Sequence, residues 1–239
     1  MNIDEAAAAF REFVAVVKAL RTPGTGCPWD LEQTHRTLRP YLVEEAHEAL
    51  EAIDRGDDQA LREELGDVLL QVVLHAQLGD DRQIFSITDV VRGITEKMVR
   101  RHPHVFGSVA VYSSAEVLRN WEQIKAAERQ ASGKTSDACP LARVPEGLPA
   151  LMRAQRLGSR AAKEKPEEAS LQNVLSDLHR EFDRLDEAAR AGSGDAAIEE
   201  RMGDILFTLC QLARRLGVDA EASLRGANRR FVEGYPAQP

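Results

Sequence analysis

Aromatic residues are scarce in this chain of 239 residues, at 5% of the total against 43% for all hydrophobic residues. The core must therefore consist largely of alanine, leucine and valine, and this mixture favours helices over a β-sandwich. Cysteine is scarce as well, since Cys27, Cys139 and Cys210 form an odd and widely spaced set. These residues match neither a disulfide framework nor a zinc site, so we expect a reducing, cytoplasmic compartment.

The chain also lacks a net positive charge and long apolar runs. The formal net charge of −8 argues against stable nucleic-acid binding, because phosphates demand a basic surface. The longest strongly apolar stretch, residues 68–76, is interrupted by polar residues and is too short to span a bilayer. Residues 1–5 lack the features of a signal peptide, so we expect no membrane association. A small anionic substrate stays compatible with this charge, since a bound divalent cation reverses its sign locally.

Helical periodicity dominates the chain, and no segment alternates in the manner of a strand. Apolar residues at helical spacing mark two N-terminal helices, within 10–20 and 42–53, and the turn at 54–58 offers Gly56 as a C-cap. Ser113 or Ser114 is expected to cap a later helix. Further helices are predicted at about 61–78, 88–102, 115–130, 150–163, 170–191, 196–216 and 219–231. We therefore predict an all-α fold.

The chain also resembles itself. Residues 64–70 align with 201–207, and residues 45–50 align with 181–186, so that a pair of helices recurs at nearly the same internal spacing. Between the two copies, residues 131–149 are rich in proline and glycine, which is typical of a linker. We predict two related helical modules, over 1–130 and 150–239, with a linker at 131–149.

Four acidic residues of the first module are spaced as if to meet. Glu45 and Glu48 lie one turn apart on one predicted helix, and Glu64 and Asp67 lie one turn apart on the next. A tight turn between antiparallel helices would bring the two pairs together, and four convergent carboxylates are the oxygen ligands that Mg²⁺ takes. The alternative for each pair alone is a solvated acidic face.

The pattern on the second of these helices favours a metal site over a solvated acidic face. Glu64, Asp67, Gln71 and His75 form one narrow polar stripe on a helix that is otherwise mostly apolar. Such a stripe indicates a lined site rather than an open surface. The first helix is less informative, because its acidic residues lie on the flank of the apolar stripe and beyond it.

Several motifs together resemble the MazG family. They are Gly26-Cys27-Pro28-Trp29-Asp30, Gln33-Thr34, Glu44-Glu45-x-x-Glu48, Glu64-Leu65-Gly66-Asp67, Arg101-His102-Pro103-His104-Val105-Phe106 and Asn120-Trp121-Glu122-x-x-Lys125. The resemblance covers most of residues 5–130 and extends more weakly, through residues 148–155, into the second module. It implies an all-α nucleoside triphosphate pyrophosphohydrolase that cleaves between the α- and β-phosphates and serves in house-cleaning of the nucleotide pool.

The same resemblance implies the roles of individual residues. Glu45, Glu48, Glu64 and Asp67 correspond to the Mg²⁺ ligands, with Mn²⁺ as a substitute, and Glu44 is an extra ligand or a water-orienting base. It also implies tandem MazG-like modules with cores of the four-helix-bundle type, completed by homodimerisation.

Basic and aromatic residues are expected to hold the rest of the nucleotide. Lys97, Arg100 and Arg101 lie close together on one predicted helix, and the resemblance singles out Lys97 and Arg101 for phosphate binding and catalysis. Lys125 is a further phosphate-binding candidate. Trp29, in a Gly/Pro loop, can stack on a base of any identity. The alternatives are a solvated basic face for the cations and a loop anchor for Trp29.

The second module departs from this pattern. Glu181 and Asp204 are retained, but Arg184 and Arg201 stand where the alignment places Glu48 and Glu64. Two arginines in place of two carboxylates would expel a metal ion and could pair with the remaining acids. We therefore expect this module to be catalytically silent and to serve dimerisation or substrate capping, unless a shift in register brings another acid into place.

Two other interpretations stay open. Glu32-x-x-His35 and Glu44-x-x-His47 have the spacing of di-iron carboxylate ligands, but they lie too close in sequence, with Pro40 between them, to come from two facing helices. The chain could also be a non-catalytic nucleotide-binding or interaction module on the same scaffold, although the complete set of four acids favours an enzyme.

Overall fold

The computed structural model describes residues 2–131, 139–164, 170–192 and 194–235. The chain divides into two compact units, Met1–Ser132 and Gly133–Pro239. Every regular element among the described residues is helical and none is a strand, which confirms the all-α prediction. None of these helices combines the length and the apolar composition needed to cross a bilayer.

The first unit contains seven helices within its described residues. They are α1 (Ile3–Leu20), α2 (Pro28–Glu32), α3 (Arg39–Arg55), α4 (Asp58–Asp81), α5 (Ile87–Arg101), α6 (Pro103–Phe106) and α7 (Ser114–Ala131). The expected cap of α7 is Ser113, whose Oγ accepts the Glu116 backbone N–H at 3.2 Å. The periodicity did not reveal the short helices α2 and α6, since four or five residues are too few for a repeat.

Helices α3 and α4 form an antiparallel hairpin, and its turn is built as the sequence predicts. Gly56 ends α3 in the left-handed conformation, at φ 67° and ψ 30°, where glycine carries no Cβ penalty. Asp57 then caps α4, because its side chain accepts the N–H groups of Gln59 and Ala60 at 3.1 and 3.0 Å. With only two residues between the helices, their acidic residues near the turn must face one another.

The core of this unit joins α1 and α4 to the segment before α3. Its five buried residues are Val17, Leu38, Val73, Leu74 and Leu78. Beside it, the buried Arg21 side chain donates to Asp81 of α4 and to the Asp30 carbonyl of α2. This one guanidinium therefore fixes the short helix α2 to the main hairpin.

The second unit contains a 3₁₀ turn, Pro140–Arg143, and four further helices among its described residues. The helices are α8 (Ala150–Glu164), α9 (Leu171–Arg190), α10 (Asp195–Arg215) and α11 (Ala220–Glu233). Residues 132–138 of the predicted linker lie outside the described residues. Its later part packs on the second unit, since Val144 is buried and the Pro140 carbonyl accepts a hydrogen bond from Arg160. The boundaries of the predicted modules stay predictions.

Candidate metal centre and substrate site

Three of the four predicted metal ligands converge between α3 and α4. One carboxylate oxygen from each of Glu45, Glu48 and Glu64 lies within 4.8 Å of the others. Glu45 and Glu64 are half-buried and Glu48 is exposed, so the cluster opens to solvent on one side. Within the described parts of the chain, this is the one grouping of three His, Cys, Asp or Glu ligands with such spacing.

The pKa values of two carboxyl groups in this cluster are raised, first by burial and then by repulsion from neighbouring carboxylates. Burial raises the pKa of Glu45, and the charges of Asp67, Glu48 and Glu64 raise it further. Burial likewise raises the pKa of Glu64, followed by the charges of Glu48 and Asp67 and by a side-chain hydrogen bond with Glu48. A shared proton removes one of these negative charges, whereas a divalent cation compensates two of them and is coordinated by several oxygens at once. The donors fit a hard cation, because all are carboxylate oxygens.

Asp67 lies at the edge of the cluster. It is exposed and falls outside the three-oxygen group, yet its charge raises the pKa of both Glu45 and Glu64. The charge of Glu44 also raises the pKa of Glu45, by a smaller amount. Both residues are therefore within electrostatic reach of an ion bound by the other three.

The predicted polar stripe of α4 divides into two parts. Glu64 and Asp67 belong to the acidic cluster, whereas Gln71 is buried and His75 pairs with His35, Nδ1 to Nδ1, at 2.8 Å. Burial, and then the charge of His35, lowers the pKa of His75. His75 thus contacts the segment before α3, whereas Gln71 Oε1 and His75 Nε2 are buried without a hydrogen-bond partner among the described residues. That the whole stripe lines one site stays a prediction.

Trp29 contacts α3 at Tyr41, one turn before the first acid of the cluster. Its indole is 49% exposed and meets Tyr41 edge-on, with ring centroids 5.9 Å apart. Tyr41 precedes Glu45 by one turn of α3, on the same face and about 6 Å away along the helix axis. An exposed indole at this place can stack on a planar group bound beside the cluster.

The basic candidates form a second cluster, at the contact between α5 and α7. Arg100 Nε and Arg101 Nη2 both bind Glu128 of α7, at 2.6 and 2.7 Å. Lys97, one turn before Arg101, is half-buried and forms no ion pair with any described residue. No hydrogen bond or ion pair among the described residues joins this basic cluster to the acidic cluster.

Trp121 forms the floor of the basic cluster. The Lys125 ammonium lies over its ring at 4.1 Å from the centroid, and the Arg101 guanidinium lies at 5.7 Å. The Lys125 ammonium also lies 3.7 Å from a carboxylate oxygen of Glu122. The indole Nε1 of Trp121 and the Nδ1 atom of His104 are buried without a hydrogen-bond partner among the described residues. Two cations on one ring are held by cation–π attraction despite their mutual repulsion.

The comparisons with known proteins decide the family. The family model for the MazG nucleotide pyrophosphohydrolase domain matches residues 33–106, which include all four acids of the metal centre. The nucleoside triphosphate pyrophosphohydrolase/pyrophosphatase MazG of Thermotoga maritima is 42% identical over 233 residues, which cover 97% of this chain and 86% of that protein. The chain belongs to the MazG family.

Two further relatives match over 93% of this chain. The nucleoside triphosphate pyrophosphohydrolase of Escherichia coli is 43% identical over 223 residues, covering 93% of this chain and 84% of that protein. The uncharacterized protein YabN of Bacillus subtilis is also 43% identical, over 93% of this chain but only 44% of its own length. The family resemblance of the sequence is thereby confirmed.

In the second unit, arginines pair with the two acids that the internal alignment retains. Arg184 Nη1 binds Glu181 at 2.6 Å, and Arg201 Nη1 lies 3.4 Å from Asp204. Each remaining acid thus has a cation one turn away on its own helix. Neither pair belongs to a grouping of metal ligands within the described residues.

Glu128 and Tyr41 are the residues near the site that the sequence did not single out. Glu128 follows Trp121 and Lys125 at i+7 and i+3 on α7, and this shared helical face was the available signal. Tyr41 gave no comparable signal, because its contact with Trp29 depends on how α2 packs. Neither di-iron motif gains a third metal-ligating residue in the described parts of the chain.

Proposed function

We propose that the protein hydrolyses nucleoside and deoxynucleoside triphosphates at the α–β phosphoanhydride, releasing a nucleoside monophosphate and pyrophosphate. Membership of the MazG family supports this, as do the two relatives above named nucleoside triphosphate pyrophosphohydrolases. The observation that carries the proposal is the convergence of Glu45, Glu48 and Glu64, inside the matched region, into one oxygen-rich cluster.

The cation is Mg²⁺, with Mn²⁺ as a substitute, and its ligands come from Glu45, Glu48, Glu64 and Asp67. When bound, it neutralises phosphate charge and makes a coordinated water more acidic. The carboxylates also exclude a nucleotide that arrives without a cation, because an uncompensated cluster repels phosphate. Glu44, whose charge reaches Glu45, orients or deprotonates the attacking water.

The side chains beyond the cluster bind the rest of the nucleotide. Lys97 and Arg101, one turn apart on α5, hold the phosphates together with Arg100 and Lys125, and so stabilise the charge that spreads over phosphate oxygens during transfer. Trp29 stacks on the base. Since every base has a π-face, this contact discriminates little between bases.

The first unit carries the activity and the second is silent. The ion pairs of Arg184 and Arg201 support this division, because each retained acid already has a positive partner. If the division holds, substitutions in the first unit alone remove all turnover. Residual turnover near half of the wild-type rate would show that both units are active.

The decisive experiment compares pyrophosphate release by the full chain and three variants. Glu45→Ala and Asp67→Ala should abolish release while leaving helicity by circular dichroism near normal. Glu51→Ala is the matched control, because Glu51 lies one turn beyond Glu48 on α3 and pairs with Arg55 at the surface. Retained turnover in both cluster variants would remove the assignment, and nucleotide binding without turnover in the wild type would favour a non-catalytic module.

The protein functions as a cytoplasmic homodimer in house-cleaning of the nucleotide pool. Exposed apolar side chains on α4, among them Leu65, Leu69 and Val72, support a partner surface. One chain has a mass of 26.4 kDa, and light scattering of the purified protein should give twice this mass. A single-chain mass at micromolar concentration would contradict the dimer.

A further inference from the structure

Glu128 connects two helices that the sequence separates. Its Oε1 atom accepts from Arg100 Nε at 2.6 Å, and its Oε2 atom accepts from Arg101 Nη2 at 2.7 Å and Nε at 3.3 Å. Arg101 is thus held along one edge of its guanidinium, and its Cζ atom lies over the Trp121 ring at 5.7 Å from the centroid. The side chain is therefore contacted both by a carboxylate and by an aromatic ring.

We propose that Glu128 positions the Arg101 guanidinium for the phosphates of the substrate, an inference that rests on the proposed function. The contact is side-on, through Nε and Nη2, and so leaves Nη1 with no hydrogen-bond partner among the described side chains. Arginine can bind a second oxyanion at this remaining edge, since its five N–H donors form a fork. An arginine already held in place loses less side-chain entropy when the phosphate binds.

The charges of the cluster favour a carboxylate beside the two arginines, since the other nearby acid, Glu122, lies beside Lys125. Arg100 and Arg101 are adjacent, and Lys125 shares the Trp121 ring with Arg101, so three cations repel one another at close range. The Arg101 side chain is only 14% exposed, against 54% for Arg100. Without Glu128, Arg101 would lose its only carboxylate partner among the described residues and turn towards solvent.

Glu128 is a positioning residue and does not take part in proton transfer. Hydrogen bonds from Arg101 and Arg100 lower the pKa of its carboxyl to about 2. A carboxylate with so low a pKa is a poor base at neutral pH. Its influence on the reaction must therefore pass through the arginines it holds.

The test measures nucleotide binding apart from turnover. We expect Glu128→Gln to raise the Kd for an α,β-methylene nucleoside triphosphate about tenfold, the usual scale for losing a charge-assisted contact. KM for the hydrolysable nucleotide should rise in parallel, with kcat changed less than about threefold. Glu128→Asp, which is too short to reach both arginines, should give an intermediate Kd. A retained urea midpoint shows that each variant is folded.

Two controls show whether Glu128 acts through Arg101. Glu116→Gln removes the same charge from the same helix, at a partly exposed pair with Arg119, and should leave the Kd unchanged. In an Arg101→Ala background, Glu128→Gln should weaken binding by a much smaller factor, because only its contact with Arg100 is then left to lose.

An unchanged or lowered Kd for Glu128→Gln would overturn the proposal, and a lowered Kd would identify Glu128 as a competitor of phosphate. Equal losses from Glu128→Gln in the presence and absence of Arg101 would also overturn it. A raised Kd in a chain that releases no pyrophosphate would leave the positioning role standing and refute the proposed hydrolysis instead.

Discussion

The buried ion pair of Arg21 offers a sharp test of how the substrate site is held together. Arg21 Nε lies 2.8 Å from Asp81 Oδ2, and the two side chains are 8% and 32% exposed. Removing one partner of a buried pair costs about 3 to 5 kcal/mol. Asp81 is one-third exposed and keeps a hydrogen bond from Gln77, so we expect about 3 kcal/mol for Arg21→Ala.

Tryptophan fluorescence can follow this loss in the full chain. Both tryptophans, Trp29 and Trp121, belong to the first unit, so the signal reports the unfolding of that unit alone. With a urea m-value of about 2 kcal/mol/M, the midpoint for Arg21→Ala should fall by about 1.5 M. The control is Arg55→Ala, which breaks an exposed pair with Glu51 and should shift the midpoint by less than about 0.3 M.

The pair should also affect substrate binding, since Arg21 donates to the Asp30 carbonyl of α2, the helix that carries Trp29. Arg21→Ala should raise KM, and Arg21→Met combined with Asp81→Leu should recover most of the lost stability. A midpoint for Arg21→Ala equal to that of Arg55→Ala would refute the reasoning.

Three further predictions concern charge and packing in the first unit. The pKa of Glu64 is raised above 4.5, so the cation-free unit should lose stability as pH rises above that value. Glu64→Gln should therefore raise the urea midpoint at pH 7. The same substitution should abolish the increase of the midpoint that Mg²⁺ causes in the wild type. The pKa of Glu128 is lowered to about 2, so its contribution to folding stability is fully present above pH 4.5 and should be lost as pH falls towards 2. Glu128→Gln should therefore make stability fall less steeply with pH on the acid side. Leu74→Ala, in the core at 3% exposure, should cost about 3 kcal/mol by urea unfolding, and a cost below about 1 kcal/mol would contradict the core assignment.

Much of this fold follows from local patterns. The long helices repeat apolar residues over several turns, and Gly56 with Asp57 carries the chemistry of a tight turn between two of them. That turn made the meeting of Glu45, Glu48 and Glu64 predictable, because two helices joined so closely have few arrangements near the joint.

Contacts between distant helices were not predictable in the same way. The pairing of Glu128 with Arg101 depends on how α7 packs against α5, and the edge-on contact of Trp29 with Tyr41 depends on how α2 packs. The contact of His75 with His35 was not predictable either, since a polar residue on an apolar helix can line a site or pair with another half-buried side chain.

The most direct test is the position of manganese in crystals of the full chain grown with Mn²⁺ and an α,β-methylene nucleoside triphosphate. Anomalous difference density should appear between α3 and α4, within bonding distance of carboxylate oxygens of Glu45, Glu48 and Glu64, with the triphosphate against it. Density only elsewhere in the chain, with these carboxylates pointing into solvent, would contradict the account.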